Sequence, residues 1–273
     1  MAAKSKQPPH FLLIPLMAQG HLIPMADLAK LLAENGGRVS LITTPQNTSR
    51  INSLLSHPNQ SQIQILHLQF PPQQQSGVPQ GCENLDSLPS LSLLPKFLSA
   101  TSLLCRATED LFQQLSPRPS CVVSDMALPW TIKVAQKFNV PRLVFYSLCS
   151  LYLLSMANLR ATGVIEKIMS ASDSELIAMP NLPDKVEFTK PQIICTLDAE
   201  FMEWANETGK ADQASYGIIL NSFDALEPKY LEEFKKATGT QLHPPFFTLV
   251  LKHAHCMPIV LGINSVRNHG PSQ

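Results

Sequence analysis

His21 and Asp125 are the residues whose types and settings could do chemistry. His21 closes the segment His10-Phe-Leu-Leu-Ile-Pro-Leu-Met-Ala-Gln-Gly-His21, an apolar run that ends in a Gly turn. Asp125 closes a second apolar run, Cys121-Val-Val-Ser-Asp125. A neutral imidazole can take a proton near neutral pH. A carboxylate that accepts its Nδ1–H fixes the tautomer and stabilises the imidazolium once it forms. Brought together, the two residues make a general base. A helix N-terminus after His21 works the other way and favours neutral imidazole at rest. Each residue also has a plainer reading, a solvent-facing turn histidine and an aspartate that caps the next helix.

The elements around the two residues decide whether they meet. Residues 10–17 read as a buried strand, an apolar run bounded by Pro8-Pro9 and Ala18-Gln19-Gly20. Residues 22–34 read as a helix whose polar stripe is Asp27, Lys30 and Glu34, stopped by Gly36-Gly37. A strand over 38–43, a helix over 48–55 and a strand over 62–68 complete a β-α-β-α-β run. That order predicts an α/β fold with a Rossmann-like, doubly wound parallel sheet. Residues 70–84 read as a loop, and 85–115 as helical stretches interrupted near Pro89 and Pro95. A strand over 121–124, a helix over 126–138, a strand over 142–146 and a helix over 148–159 follow. A Pro-punctuated loop over 178–195, a helix over 196–214, a strand over 216–221 and a helix over 226–237 come next. In such a sheet strand 1 lies beside strand 4, at the switch point where ligands bind. His21 and Asp125 are therefore expected at one crevice.

Bulk properties narrow the function classes. The 273 residues carry 21 Lys+Arg and 21 Asp+Glu, so no basic field draws nucleic acid or an anionic membrane. Charged residues are 15%, below the usual quarter, as expected of a chain that buries surface against something else. Cys82, Cys105, Cys121, Cys149, Cys195 and Cys256 form no C-x-x-C pair, and reduced thiols in a cytoplasmic protein are the expectation. No signal peptide is expected from the N-terminal residues, and the longest apolar run, 143–154, is too short to span a bilayer. No G-x-G-x-x-G, P-loop, H-E-x-x-H or G-x-S-x-G occurs. With no protein nucleophile, the base is expected to activate a hydroxyl of the substrate. His253-Ala-His255-Cys256 is too weak a pattern for a metal site, and none is expected.

The run Pro15-Leu-Met-Ala-Gln-Gly-His21-Leu-Ile-Pro-Met-Ala-Asp27 resembles the amino terminus of plant UDP-dependent glycosyltransferases. So do Thr43-Thr-Pro-Gln-Asn47, Val123-Ser-Asp125 with Trp130, and Leu220-Asn-Ser-Phe-Asp-Ala-Leu-Glu227-Pro228. The branch most resembled acts on flavonoids, coumarins and triterpenoid aglycones. The resemblance covers roughly residues 8–239. It implies the acceptor-binding, N-terminal half of a GT-B fold. It also implies that His21 deprotonates an acceptor hydroxyl and that Asp125 supports it. The oxygen then attacks the anomeric carbon of a UDP-sugar, with inversion and without metal or other cofactor. Ser147 falls where the family places a hydroxyl near the donor sugar or its phosphates; an ordinary strand-end hydroxyl is the alternative. Gly20, Tyr146, Phe201 and Trp204 are the candidates for acceptor contacts, with core packing as the alternative.

One departure bears on function. The family's donor-binding box combines a Trp, a Gln, a His-x-Gly-Trp-Asn-Ser run, a Glu and an Asp-Gln, but Trp130 and Trp204 are the sole tryptophans here. The donor-binding domain is expected to be missing. Residues 240–273 are expected to form a divergent, poorly ordered tail, as from a retained intron, frameshift or alternative end. The expected partner is a small-molecule aglycone, with UDP-sugar bound weakly at most. The chain alone is expected to lack transfer activity. An acceptor-binding half-enzyme and a non-functional truncation product are the other readings.

Overall fold

The structure, a computed structural model, describes residues 8–55, 62–193, 199–222 and 225–237. Its first half runs β1 (His10–Ile14), α1 (Gln19–Glu34), β2 (Arg38–Thr43), α2 (Thr48–Leu54), β3 (Ile63–His67), α3 (Gln73–Ser76), α4 (Leu94–Ser102) and α5 (Cys105–Gln114). Then come β4 (Cys121–Asp125), α6 (Thr131–Lys137), β5 (Arg142–Tyr146), α7 (Ser150–Thr162) and α8 (Ile165–Ser170). The last elements are β6 (Leu176–Ala178), β7 (Glu187–Thr189), α9 (Lys190–Ile193), α10 (Ala199–Gln213), β8 (Gly217–Leu220) and α11 (Pro228–Ala237).

Six strands form one parallel sheet in the order β3-β2-β1-β4-β5-β8. Every residue of β1 and β4 is buried, as befits central strands covered on both faces. Phe11, Leu12, Leu13, Val122 and Val123 therefore read as continuous apolar runs rather than alternating ones. Leu22, Met25, Leu28, Ala29 and Leu32 of α1 pack into the same core. Register pairs Leu13 with Val123 and Ile14 with Ser124. The chain thus leaves β1 and β4 side by side at the carboxyl edge.

The observed elements depart from the expected ones in several places, among them α3 within the expected 70–84 loop. β1 ends at Ile14, before Pro15, which has no N–H to give the ladder. α1 begins at Gln19, so Gly20 and His21 lie in its first turn and Gly20 makes no turn of its own. Residues 126–130 are a turn, with α6 starting at Thr131. The stretch around the expected 178–195 loop holds β7 and α9 and starts beside β6, which pairs antiparallel with β7. Strands of three residues are too short to show a period of two in sequence. Residues 240–273, the expected tail, lie outside the described residues. Among the described residues no helix is long and apolar enough to cross a membrane. Cys82, Cys105, Cys121 and Cys149 are free thiols, while Cys195 and Cys256 lie outside the described residues.

Two buried polar groups tie the sheet together. His10, at the opposite end of β1 from the site, has Nδ1–H donated to the Pro117 carbonyl at 2.7 Å. Its Nε2 accepts from the Ser40 hydroxyl at 2.8 Å. Arg142 heads the large, fully buried side chains among the described residues. Its Nε donates to Ser124 Oγ at 2.8 Å and Thr131 Oγ1 at 2.9 Å. Its Nη1 donates to Ser215 Oγ at 2.6 Å and faces Asp212 Oδ1 at 3.4 Å. One guanidinium therefore joins β5 to β4, α6 and the end of α10.

Both groups generate stability predictions. Removing one partner of a buried ion pair typically costs about 3–5 kcal/mol. Arg142→Ala is expected to lower stability on that scale, read from the denaturant midpoint. Burial pushes the His10 imidazole below 6.5; the Pro117 carbonyl opposes this and Arg38 adds to it. The unfolded chain then binds a proton that the folded chain refuses. The stability from this group is present above pH 6.5 and is lost as pH falls through the lowered folded value. Urea midpoints measured downward from pH 8 should drop below pH 6.5, and His10→Gln should flatten that drop.

Candidate active site

Asp125 is the last residue of β4 and its side chain is wholly buried, while His21 keeps 20% exposure. Asp125 Oδ2 lies 2.8 Å from His21 Nδ1. Asp125 Oδ1 accepts the Ala127 N–H at 2.9 Å, which shapes the turn before α6. The helix-cap reading of Asp125 does not hold, because α6 starts at Thr131 with Trp130 as its N-cap; Oδ1 holds the preceding turn instead, and Oδ2 faces the imidazole. A carboxylate against Nδ1 requires a hydrogen there, so Nε2 carries the lone pair. Ser147 Oγ lies 3.0 Å from the same Nδ1. The Nδ1–H is shared between the Asp125 carboxylate and the Ser147 hydroxyl oxygen.

The start of α1 presents His21. Its N-cap, Ala18, has no side chain to give, and the cap comes from afar: Asp86 Oδ2 accepts the Gln19 N–H at 2.8 Å. Arg50 holds the same oxygen at 3.1 Å. The Asp86 loop is pinned by Leu85 N–H to the Met17 carbonyl at 2.7 Å. It is pinned again by Asn84 Nδ2 to Asn47 Oδ1 at 2.7 Å. Burial pushes the His21 imidazole down. The charge and hydrogen bond of Asp125, joined by the charge of Asp86, outweigh it, and the net direction is above 6.5. This is opposite to what the helix N-terminus alone implies, because Asp86 caps that terminus and Asp125 faces the ring.

The other candidates divide. Gly20 stands beside His21, and a Cβ there would meet nothing within 4 Å, so open space rather than sterics surrounds it. Phe201 and Trp204 of α10 form a tilted pair with centroids 5.1 Å apart and pack against the main core. Trp204 Nε1–H donates to the Ala127 carbonyl at 3.1 Å, on the turn that Asp125 holds. Tyr146 donates its hydroxyl to the Asp212 carboxylate and packs near Leu220, Leu153 and Leu154. The structure thus gathers His21, Asp125 and Ser147, sets Gly20 and Trp204 at their flanks, and turns Tyr146 toward the Arg142–Asp212 cluster.

Asp86, Asn221 and Glu227 were not singled out as site residues from sequence. Asp86 gives a local signal, since Asn84 Oδ1 accepts the Asp86 N–H at 2.9 Å in a short turn, but nothing in sequence tells which helix it caps. Among the described residues no three His, Cys, Asp or Glu side chains gather as metal ligands. His253, His255 and Cys256 lie outside the described residues.

The raised imidazole has a sign that can be checked. A group raised in the folded state stabilises below its unfolded value, and that contribution is lost as pH rises through the folded value. Nitrogen-15 titration of His21 should show Asp125→Asn lowering its pKa and Asp86→Asn lowering it less. An unmoved titration in Asp125→Asn rules out the pairing.

A family model described as glycosyltransferase, N-terminal domain, matches residues 10–247. UDP-glycosyltransferase 73C12 of Barbarea vulgaris is 42% identical over 233 residues, 84% of this chain and 47% of that protein. UDP-glycosyltransferase 73C1 of Arabidopsis thaliana is 40% identical over 245 residues, 89% of this chain and 50% of that protein. The chain spans about half the length of the curated relatives it matches. Glycyrrhiza uralensis UGT73P12, solved with glycyrrhetinic acid 3-O-monoglucuronide, superposes with a TM-score of 0.70 at 30% identity. That match covers 85% of this chain and 47% of the other. Arabidopsis thaliana UGT89C1, solved with UDP-L-rhamnose, gives 0.61 at 25% identity, covering 84% and 49%. The sheet order and these matches agree, and the chain belongs to the glycosyltransferase N-terminal domain family, with plant UDP-glycosyltransferases among its relatives.

Proposed function

We propose that this chain is the acceptor-binding half of an inverting UDP-sugar glucosyltransferase acting on small phenolic or terpenoid aglycones. The His21–Asp125 pair at the β1/β4 edge carries the reading. Nε2 of His21 takes the proton of an acceptor hydroxyl as that oxygen bonds to the anomeric carbon. The bond from that carbon to the phosphate oxygen breaks, and UDP leaves with the electron pair. Attack from the face opposite the leaving group inverts the centre. Asp125 stabilises the imidazolium, since its carboxylate already holds Nδ1–H. Ser147 accepts from that N–H, which leaves its own O–H for a ligand oxygen such as one of the donor sugar.

The ligands of similar proteins support the substrate classes. UGT73P12 was solved with glycyrrhetinic acid 3-O-monoglucuronide, and UGT89C1 with quercetin and with UDP-L-rhamnose. Gly20, Phe201 and Trp204 are proposed as acceptor contacts from their places around the pair. Free thiols at Cys82, Cys105, Cys121 and Cys149 support a cytoplasmic setting. UDP-sugar is a co-substrate, and no resident cofactor or metal is proposed. Holding donor and acceptor in line supplies effective molarities worth about 7–11 kcal/mol, so residues 1–273 alone are proposed to transfer little sugar.

A chimera tests this reading. Residues 8–239 are joined to the carboxy-terminal half of UDP-glycosyltransferase 73C1 and incubated with UDP-glucose and a flavonol. Glucoside formation is expected, with a loss of about 10²–10⁴-fold in His21→Ala, the range of a general base. The 273-residue chain should give little. A folded chimera that binds UDP-glucose yet turns over as fast without His21 overturns the assignment.

A further inference from the structure

Ser147 lies in the three-residue link between β5 and α7. A link that short places its hydroxyl accurately only if both ends are held. β5 anchors the front end through Tyr146, paired with Leu220 of β8. Asn221, the next residue after β8, donates its N–H to the Tyr146 carbonyl at 2.9 Å. Its side-chain Nδ2 donates to the Ser147 carbonyl at 3.3 Å.

The rear end is α7, whose N-cap Cys149 makes no side-chain cap. Glu227 supplies it: Oε1 accepts the Ser150 N–H at 2.7 Å and Oε2 accepts the Leu151 N–H at 3.0 Å. The Ser222 hydroxyl donates to the same carboxylate. Leu231 and Phe234 of α11 pack with Leu153 and Leu154 of α7, which keeps the Glu227 end against the helix. Asn221 and Glu227 therefore grip the Ser147 link on both sides.

We propose that Asn221 and Glu227 are positioning residues for the base: they clamp the Ser147 link so that its hydroxyl oxygen shares the His21 Nδ1–H with Asp125. The role as base rests on the function proposed above; the clamp itself does not. The groups that face His21 are Asp125 from β4, Ser147 from the clamped link, and Asp86, paired to Arg50, at the start of α1. Releasing the clamp loosens the Ser147 contact and leaves the carboxylates in place.

Proton exchange reads the clamp without any turnover. Long-range ¹⁵N–¹H spectra of the 273-residue chain, with His21 assigned by His21→Gln, report exchange of its Nδ1–H with water. Ser147→Ala is expected to speed that exchange roughly fivefold, the weight of one net hydrogen bond. Glu227→Gln and Asn221→Ala should each act in the same direction, and Ser147→Thr should restore the wild-type rate. In the Ser147→Ala background, Glu227→Gln should add nothing further. Effects that sum in the double variant overturn the proposal, as does unchanged exchange in Ser147→Ala or in Asn221→Ala. Asn221→Ala leaves the α7 cap intact, so it decides the matter if Glu227→Gln unfolds. Failure of the chimera to transfer glucose leaves this result standing, and the reverse also holds.

Discussion

A carboxylate buried at the end of a central strand must have partners, because an unpaired buried charge costs far more than folding can offset. Asp125 meets that demand with one oxygen on the Ala127 N–H and the other on His21 Nδ1. The first bond sets the turn that leads into α6, and the second sets the imidazole. Trp204 then ties α10 to the same turn through the Ala127 carbonyl. Much of the carboxyl edge is organised around this one side chain. The pairing is possible because β1 and β4 are neighbours in register, so the start of α1, which carries His21, lies beside the end of β4, which carries Asp125.

The supports of His21 come from widely separated parts of the chain. Asp86 caps the helix that carries it, from a loop after β3. Ser147 meets it from the link after β5, and that link is gripped by residues following β8. Each support uses a polar group at a strand or helix terminus, where backbone N–H groups lack partners. Charge completes the picture. Burial alone would strip the proton from His21, and two carboxylates reverse that tendency. Asp125 is the stronger of them because it also hydrogen-bonds, while Asp86 is shared with Arg50.

The sheet was legible because its central strands are apolar runs separated by helical periods, and a parallel sheet has few orders available. That logic placed His21 beside Asp125 before any contact was known. It erred where local signals are ambiguous. Gly20 looked like a turn, but Pro15 ends the strand earlier and α1 then starts at Gln19. The β6–β7 hairpin is built from strands too short to show alternation. Tyr146 followed a strand at the correct edge, yet its hydroxyl turns to Asp212, because Arg142 draws that carboxylate into a buried cluster. Arg142 itself drew no notice, since a lone arginine at a strand start gives no sign of being buried.

Sequence alone determined the α/β class, the parallel order and the adjacency of two ionisable side chains. Those follow from periodicity and chirality, which act over short stretches of chain. Tertiary structure decided which atoms meet: Nδ1 rather than Nε2 on Asp125, Ser147 on that same nitrogen, Asp86 on the cap of α1, and Glu227 on the cap of α7. Hydrogen bonds have a reach of about 3 Å and a direction. Whether residues distant in sequence satisfy both conditions depends on the packing of the whole domain, which no local pattern encodes.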